Sequence, residues 1–364
     1  MKLKNIIFYF PNFSEGGIEN VSYKLANYFN SKNINVYFIS YKIPKTKNFV
    51  YKKKIKLINF KNQNVGWLIK NFSCLKLLLQ ILFKKDKKNT VILALSNLNL
   101  CIILSKMLGF NVVSRNAAPV DFFKPSPTFF DFTKFYIKSL VYSFSDLIIA
   151  NSKISAAKIK KMLFLRTKVV SILNPFIMPI KHNTPKKTNT ILYVGRLSSE
   201  KGVIQLVKGF EIFQKKYKNY KLNIVGDGGQ KKIIKEYIQR KKLNEKVVLL
   251  GWINNVNKYY LNSKVLILPS FFEGFGNVLI EALSFKLPCI STKTDGPREV
   301  LKNGRYGLLI KNNEPKNISN GIIELIKNYK IYTQKAKLGY KENTKYDFNS
   351  IGHKYLKNIN SVLN

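Results

Sequence analysis

A short apolar run, Val265-Leu266-Ile267-Leu268, leads into Phe272-Glu273-Gly274-Phe275-Gly276-Asn277, after which apolar residues recur at helical spacing as Val278, Leu279, Ala282 and Leu283. The order is therefore a buried strand, a glycine-containing turn and a helix start, a unit that belongs in an open parallel α/β sheet. Such a turn suits an anion. Its glycines let the backbone approach a ligand closely, and the first helical turn presents N–H groups at the positive end of the helix dipole. Two carboxylates, Glu273 and Glu281, lie on the same stretch and would repel a bare phosphate. Aimed at hydroxyl groups beside the phosphates, they fit a nucleotide sugar, with amides for the diphosphate and carboxylates for the sugar hydroxyls.

Strand and helix patterns alternate along the rest of the chain. The first half begins with a strand at Asn5–Phe10 and a loop ending in Gly16 and Gly17. A helix from about Ile18 to Asn30 and a strand at Asn35–Ser40 follow. The paired glycines do not form a GxGxxG motif; they permit either a tight turn or the close approach of a ligand. An irregular lysine-rich run spans Lys42–Lys56. Next comes a helix-like run, Trp67–Lys84, whose broad apolar face suits ordinary packing in an α/β domain. Its aromatics and basic flanks also suit a helix lying on anionic lipid. Strands at Thr90–Leu95 and Asn111–Ser114 follow, the second leading into Arg115 and Asn116 at a carboxyl edge, where open sheets gather their ligands. A helix at Phe129–Phe144 and strands at Leu147–Ala150 and Lys168–Leu173 close this half.

Asn174-Pro175 to Lys187 carries three prolines and reads as a linker. The alternation then restarts with strands at Thr190–Val194, Lys221–Val225 and Lys246–Leu250, the 265–268 strand, Pro288–Ser291 and Tyr306–Ile310, and a turn at Asp295-Gly296-Pro297. Three helices end the chain. The expectation is two doubly wound Rossmann-like α/β domains, 1–175 and 176–345, facing an interdomain cleft, with a terminal helix at about 346–364 returning to the first domain.

Composition narrows the function classes. At 364 residues with 46% apolar and 13% aromatic content, the chain is long enough for two folded cores. No run of uninterrupted apolar residues is long enough for a membrane span; the nearest, Val91–Phe110, is broken by Ser96, Asn97, Asn99, Ser105 and Lys106. The first residues lack the apolar core of a signal peptide, and Cys74, Cys101 and Cys289 lack metal or redox spacing, so a cytoplasmic location is expected. The net charge is +44, yet only six of the 63 basic residues are arginine. A general lysine bias accounts for such a spread, and attraction to an anionic membrane surface is the functional reading.

The chemistry gathers at strand ends of the second half. After Val194 come Gly195, Arg196 and Lys201-Gly202, a glycine turn with a guanidinium fork and a compact ammonium that together suit a diphosphate. Gly226-Asp227-Gly228 ends the next strand, and Gly251-Trp252-Ile253 another.

In this order, Gly16-Gly17, Gly195-Arg196 with Lys201-Gly202, Gly226-Asp227-Gly228 and Glu273 with Glu281 resemble the retaining GT-B glycosyltransferases of family GT4, and Gly296-Pro297-Arg298-Glu299-Val300-Leu301 with Glu273–Val278 resembles its bacterial members that build surface glycans. The resemblance covers almost the whole chain and is more specific in its second half. It implies that Arg196 and Lys201 neutralise the donor diphosphate, that Glu281 holds the ribose diol and that Glu273 binds the transferred sugar. Gly195, Gly226, Asp227, Trp252, Ile253, Phe275, Gly276, Asn277 and Val278 would line the donor site, with Gly16 and Gly17 approaching from the other domain. Many members carry a histidine where this chain has Arg115-Asn116, so Arg115 stands in as a catalytic cation and Asn116 as an acceptor-side group. Same-face attack follows from the resemblance, with no metal and no cofactor beyond the donor.

UDP-hexose or UDP-N-acetylhexosamine is the favoured donor. A polyprenyl-diphosphate-linked or lipopolysaccharide glycan is the expected acceptor, reached from the inner face of the cytoplasmic membrane. Two other readings compete. A sugar-nucleotide epimerase or hydrolase would want acids or a histidine that the first half lacks. A nucleic-acid binder would cluster arginines and aromatics on one basic face, whereas here arginine is scarce.

Overall fold

The structure, a computed structural model, describes residues 2–10, 17–40, 55–58, 67–95, 100–116, 129–174, 187–344 and 347–363. Two compact units divide the chain: Met1–Pro175 together with Phe348–Asn364, and Phe176–Asp347.

The first unit contains β1 (Asn5–Tyr9), α1 (Gly17–Ser31), β2 (Asn35–Ile39), β3 (Ile55–Ile58), α2 (Trp67–Leu82) and β4 (Thr90–Ala94). It continues through α3 (Leu100–Met107), β5 (Asn111–Asn116), α4 (Phe129–Ser143), β6 (Leu147–Ala150), α5 (Lys153–Met162) and β7 (Lys168–Ser171). Among the described residues these strands form a seven-stranded sheet in the order β3-β2-β1-β4-β5-β6-β7. The pairings are parallel. Helices cover both faces of such a sheet, so its central strands are apolar on both sides; all of β1, β4 and β6 is buried.

One local reading needs correction. The lysine-rich run read as irregular through Lys56 ends in an edge strand, with β3 pairing Val36 to Ile55 and Ile39 to Ile58. Lys56 interrupts its apolar run in the sequence. Helix α2 is a packing helix: Cys74, Leu78 and Leu82 lie in the core of this unit. No described helix is long and apolar enough to cross a membrane.

The second unit contains β8 (Thr190–Val194), α6 (Val203–Gln214), β9 (Lys221–Val225), α7 (Lys231–Arg240), β10 (Val247–Gly251), α8 (Asn257–Asn262) and β11 (Val265–Leu268). Then come α9 (Asn277–Ser284), β12 (Cys289–Thr292), α10 (Asp295–Val300), β13 (Leu308–Ile310), α11 (Pro315–Lys327) and α12 (Tyr329–Asn343). Its strands run parallel in the order β10-β9-β8-β11-β12-β13. The expected turn at Asp295-Gly296-Pro297 is the first turn of α10, where proline's missing N–H would have had no intrahelical acceptor.

The last helix, α13 (Phe348–Asn360), belongs to the first unit. It lies on α1, with the Phe348 ring edge-on to Tyr28 at 5.8 Å, and Asn360 accepts a hydrogen bond from the Leu3 amide at 3.3 Å.

Candidate functional site

Parallel pairing puts every carboxyl end of the second sheet on one edge. Gly195 and Arg196 follow β8, Gly226 and Asp227 follow β9, Trp252 and Ile253 follow β10, and Glu273 to Val278 lie between β11 and α9. Backbone hydrogen bonds join these loops to one another. The Gly195 amide donates to Val225 O at 3.0 Å, the Leu197 amide to Asp227 O at 2.9 Å and the Gly226 amide to Gly251 O at 2.8 Å. Gly226 has φ +139°, and a Cβ there would lie 1.8 Å from Gly195 O, so no other residue allows the two loops to come this close.

Lys201 reaches the β11 loop by a second glycine device. Gly202, at φ +65°, ends the short turn Ser199–Lys201, and a Cβ there would lie 2.3 Å from Pro269 O. The Phe271 amide donates to Glu200 O at 2.9 Å, which fixes the two loops side by side. Across that seam Lys201 Nζ meets Glu273 Oε2 at 2.7 Å, the side chains 17% and 15% exposed. The sequence reading assigned Lys201 to a diphosphate and Glu273 to a sugar; in the structure they are bound to each other. Desolvation offsets much of the attraction in such a pair, so an anionic ligand can compete for the ammonium.

Arg196 is poised differently. Its side chain is 71% exposed and 3.8 Å from Glu200. Burial pushes the Glu200 carboxyl up, but the Ser198 hydroxyl, its own amide, Arg196 and Lys201 outweigh this and hold it below the ordinary value. Tyr193 is fully buried, its phenol donating to Arg196 O at 2.9 Å. Burial, then the charges of Glu273 and Glu200, push that phenol well above its ordinary pKa, so it stays a neutral donor supporting the turn.

Glu281 stands one turn into α9. Its Oε2 accepts from the Tyr260 hydroxyl at 2.7 Å, and the buried Tyr260 ring stacks on Phe285 at 5.4 Å. Burial first, then Glu281, raises the Tyr260 phenol well above its ordinary pKa, so it serves Glu281 as a lasting donor. The Phe275 side chain is buried, and Gly276, at φ +86°, delivers the chain into the first turn of α9 at Asn277 and Val278. Trp252 is half exposed, with Nε1 donating to Asn254 Oδ1 at 3.0 Å, and Ile253 is partly buried beside it. Asp227 differs from its neighbours. One oxygen accepts from the Gly228 amide at 2.8 Å and the other pairs with Lys231 at 2.6 Å. Lys231 and then that amide hold its carboxyl below the ordinary value. Asp227 thus shapes its own turn.

A sequence profile described as Glycosyl transferases group 1 matches residues 177–342. An uncharacterised glycosyltransferase of Methanocaldococcus jannaschii is 31% identical over 319 residues, covering 75% of this chain and 76% of that one. The chain belongs to the group 1 glycosyltransferases. Another relative of this glycosyltransferase comes from Campylobacter jejuni, the N-acetylgalactosamine-N,N'-diacetylbacillosaminyl-diphospho-undecaprenol 4-alpha-N-acetylgalactosaminyltransferase. It is 30% identical over 212 residues, or 56% of this chain and 57% of that one. Among solved structures, Anabaena HepE in complex with UDP and glucose superposes with a TM-score of 0.82 at 20% identity, covering 98% of this chain and all of the other. The fold is GT-B, built from two Rossmann-like units.

The first unit of this glycosyltransferase places its expected site residues otherwise. Gly16 lies outside the described residues, and Gly17 opens α1. Arg115 requires correction as a substrate-facing cation. It is 2% exposed, its Nε donating to the Tyr355 hydroxyl at 2.9 Å and its Nη2 to Asn174 Oδ1 at 2.5 Å. Arg115 therefore ties the end of β5 to α13 and to the segment after β7. Asn116 is likewise buried and accepts from the Tyr142 hydroxyl at 3.3 Å. A residue at a strand's carboxyl end still points to one face or the other, and here both side chains point into the protein.

Tyr193, Tyr260 and Tyr355 were not singled out from the sequence. Tyr193 lies in an apolar strand, Tyr260 adjoins Tyr259 and Tyr355 stands among lysines, and nothing local marks which phenol will meet a carboxylate or a guanidinium.

Proposed function

We propose that this glycosyltransferase is a retaining enzyme that moves a hexosyl or N-acetylhexosaminyl group from a UDP-linked donor. The acceptor in this reading is a polyprenyl-diphosphate-linked or lipopolysaccharide glycan at the inner face of the cytoplasmic membrane. One observation carries the proposal: Lys201 and Glu273 meet at 2.7 Å on the sheet edge that also carries Arg196 and Glu281. UDP in the HepE structure and the undecaprenol-linked acceptor in the name of the Campylobacter relative support the choice of donor and acceptor.

The donor diphosphate draws Lys201 away from Glu273 and takes Arg196 as its second cation, with the amides of Phe275 to Val278 completing the cradle. Released, Glu273 accepts hydrogen bonds from the sugar hydroxyls, while Glu281, steadied by Tyr260, holds the ribose diol. As the bond from the anomeric carbon to the diphosphate oxygen breaks, negative charge grows on that oxygen, and Lys201 and Arg196 stabilise it there. The acceptor hydroxyl attacks from the same face and passes its proton to the departing diphosphate. Two cations and a helix N-terminus meet the phosphate charge, so the reaction is proposed to run without a metal.

Thermal shift with UDP, GDP and ADP is the first test. UDP at 100 times its dissociation constant should stabilise the protein by about 2.7 kcal/mol, with the other two weaker. Transfer from labelled UDP-sugars should continue in excess EDTA and yield the α-anomer from an α-linked donor. A flat response to all three nucleotides removes the nucleotide-sugar reading, and an inverted anomer removes retention.

A further inference from the structure

The first unit carries an apolar face that neither its core nor the donor site uses. Phe132, Tyr136 and Leu140 of α4, with Phe144 just beyond it, recur every four residues and so share one side of the helix. All four are exposed, Tyr136 at 54% and Leu140 at 52%. Phe164 and Leu165, in the turn after α5, are 58% and 59% exposed, and the Phe164 ring stacks on Tyr136 at 5.8 Å. A contiguous group of large apolar side chains on the outside of a protein marks a surface made for contact.

The charge around it selects the partner. From Phe129 to Asn174 the sequence has eight lysines and arginines against two aspartates. Lys106 pairs with one of these, Asp146, at 2.5 Å. An open hollow of about 520 Å³ lies between Phe144 and Leu165, with Lys106, Arg166 and Lys168 in its wall. Lys160 and Lys161 are exposed on the last turn of α5, a few residues before Phe164. Aromatics and leucines beside cations, with an open hollow at their end whose wall holds three cations and Asp146, match the boundary between acyl chains and phosphate headgroups. Helix α4 joins the carboxyl end of β5 to the amino end of β6, so the stripe runs the height of the sheet from the edge where open sheets bind ligands.

We infer that this α4 face docks on an anionic phospholipid bilayer, its apolar row entering the interface and the hollow receiving a lipid phosphate. The inference rests on the reading of the acceptor as lipid-linked, and it names the surface that brings the enzyme to that acceptor.

The full-length protein is centrifuged with vesicles of phosphatidylglycerol and phosphatidylcholine in equal parts, and with phosphatidylcholine alone. Binding should favour the anionic vesicles by about tenfold and fall with added salt. Tyr136→Trp should shift its emission to the blue on the anionic vesicles only. Tyr136→Ser with Leu140→Ser and Phe164→Ser should lower vesicle affinity about tenfold or more, while Phe72→Ser on α2 with Phe83→Ser just after it should not. The triple variant should lose transfer to a vesicle-embedded acceptor and keep transfer to a short-chain, water-soluble one. Unchanged vesicle binding by the triple variant overturns the inference. So does a wild-type dimer, seen by light scattering, that the triple variant dissociates, because a second copy then covers this face. Wild-type vesicle binding without transfer from any UDP-sugar would leave the docking surface standing and reject the catalytic reading.

Discussion

The carboxyl edges of the two sheets are held together by different means. In the second unit, loops join through their backbones, with Gly195, Gly226 and Gly251 linked by amide-to-carbonyl hydrogen bonds and Gly202 set against Pro269. In the first, backbone bonds such as that from the Ile172 amide to Ala150 O are joined by bonds among buried side chains: Arg115 to Tyr355 and Asn174, and Asn116 to Tyr142. The second edge keeps its charged groups partly exposed, as Lys201, Glu273 and Glu281 show. A side-chain seam consumes them internally, as happens to Arg115.

The largest effect should come from the charges of the second edge. Glu273→Gln or Glu281→Gln should lower kcat/KM for transfer by about two to three orders of magnitude with little change in melting temperature. Near-normal turnover in both variants would erase the distinction between the edges. Gly226→Ala tests the seam itself, because its Cβ would strike Gly195 O. It should destabilise the second unit by about 3 kcal/mol and weaken UDP binding in parallel, read by chemical denaturation and titration. Tyr355→Phe probes the first edge: leaving Arg115 Nε without its acceptor should cost about 2 kcal/mol of stability, with the KM for the UDP-sugar unmoved. A raised KM there would return Arg115 to the chemistry.

How far the sequence foretold these outcomes follows the same division. Backbone constraints are written in residue type, since only glycine tolerates a close approach such as that of Gly226 to Gly195. The loops of the second edge, with their cations and acids, were therefore legible, as was the parallel alternation of both sheets. Side-chain seams depend on partners far apart in sequence. Nothing near Arg115 announces Tyr355, and nothing near Glu281 announces Tyr260. Strand β3 was missed because Lys56 breaks its apolar run. The direct pairing of Lys201 with Glu273 was also illegible, because complementary charges at one edge do not state whether they face a ligand or each other.

Smaller effects refine the comparison. Tyr260→Phe removes one hydrogen bond from Glu281 and should raise the KM for the UDP-sugar about fivefold, roughly 1 kcal/mol, with kcat nearly unchanged. Lys187 offers a pH test. It donates to the carbonyls of Leu261 and Ser263, and burial lowers its pKa from 10.5 to about 8, the charge of Cys289 opposing this in part. Between those values the unfolded chain holds a proton that the folded chain lacks, so stability rises with pH across that window. The gain should be about 1 kcal/mol after allowance for solvent screening, and Lys187→Met should flatten it in denaturation curves taken from pH 7 to pH 11.

The return of α13 to the first unit sets an order of events during synthesis. The second unit is continuous in sequence and can close as soon as its own residues leave the ribosome. The first unit begins earlier yet closes after the second, because Tyr355 follows the whole second unit in sequence and Arg115 lacks it until then. A chain truncated after Asp347 should therefore resist protease across the second unit while its first unit is cut. Equal protection of both units would show that the first closes without its last helix.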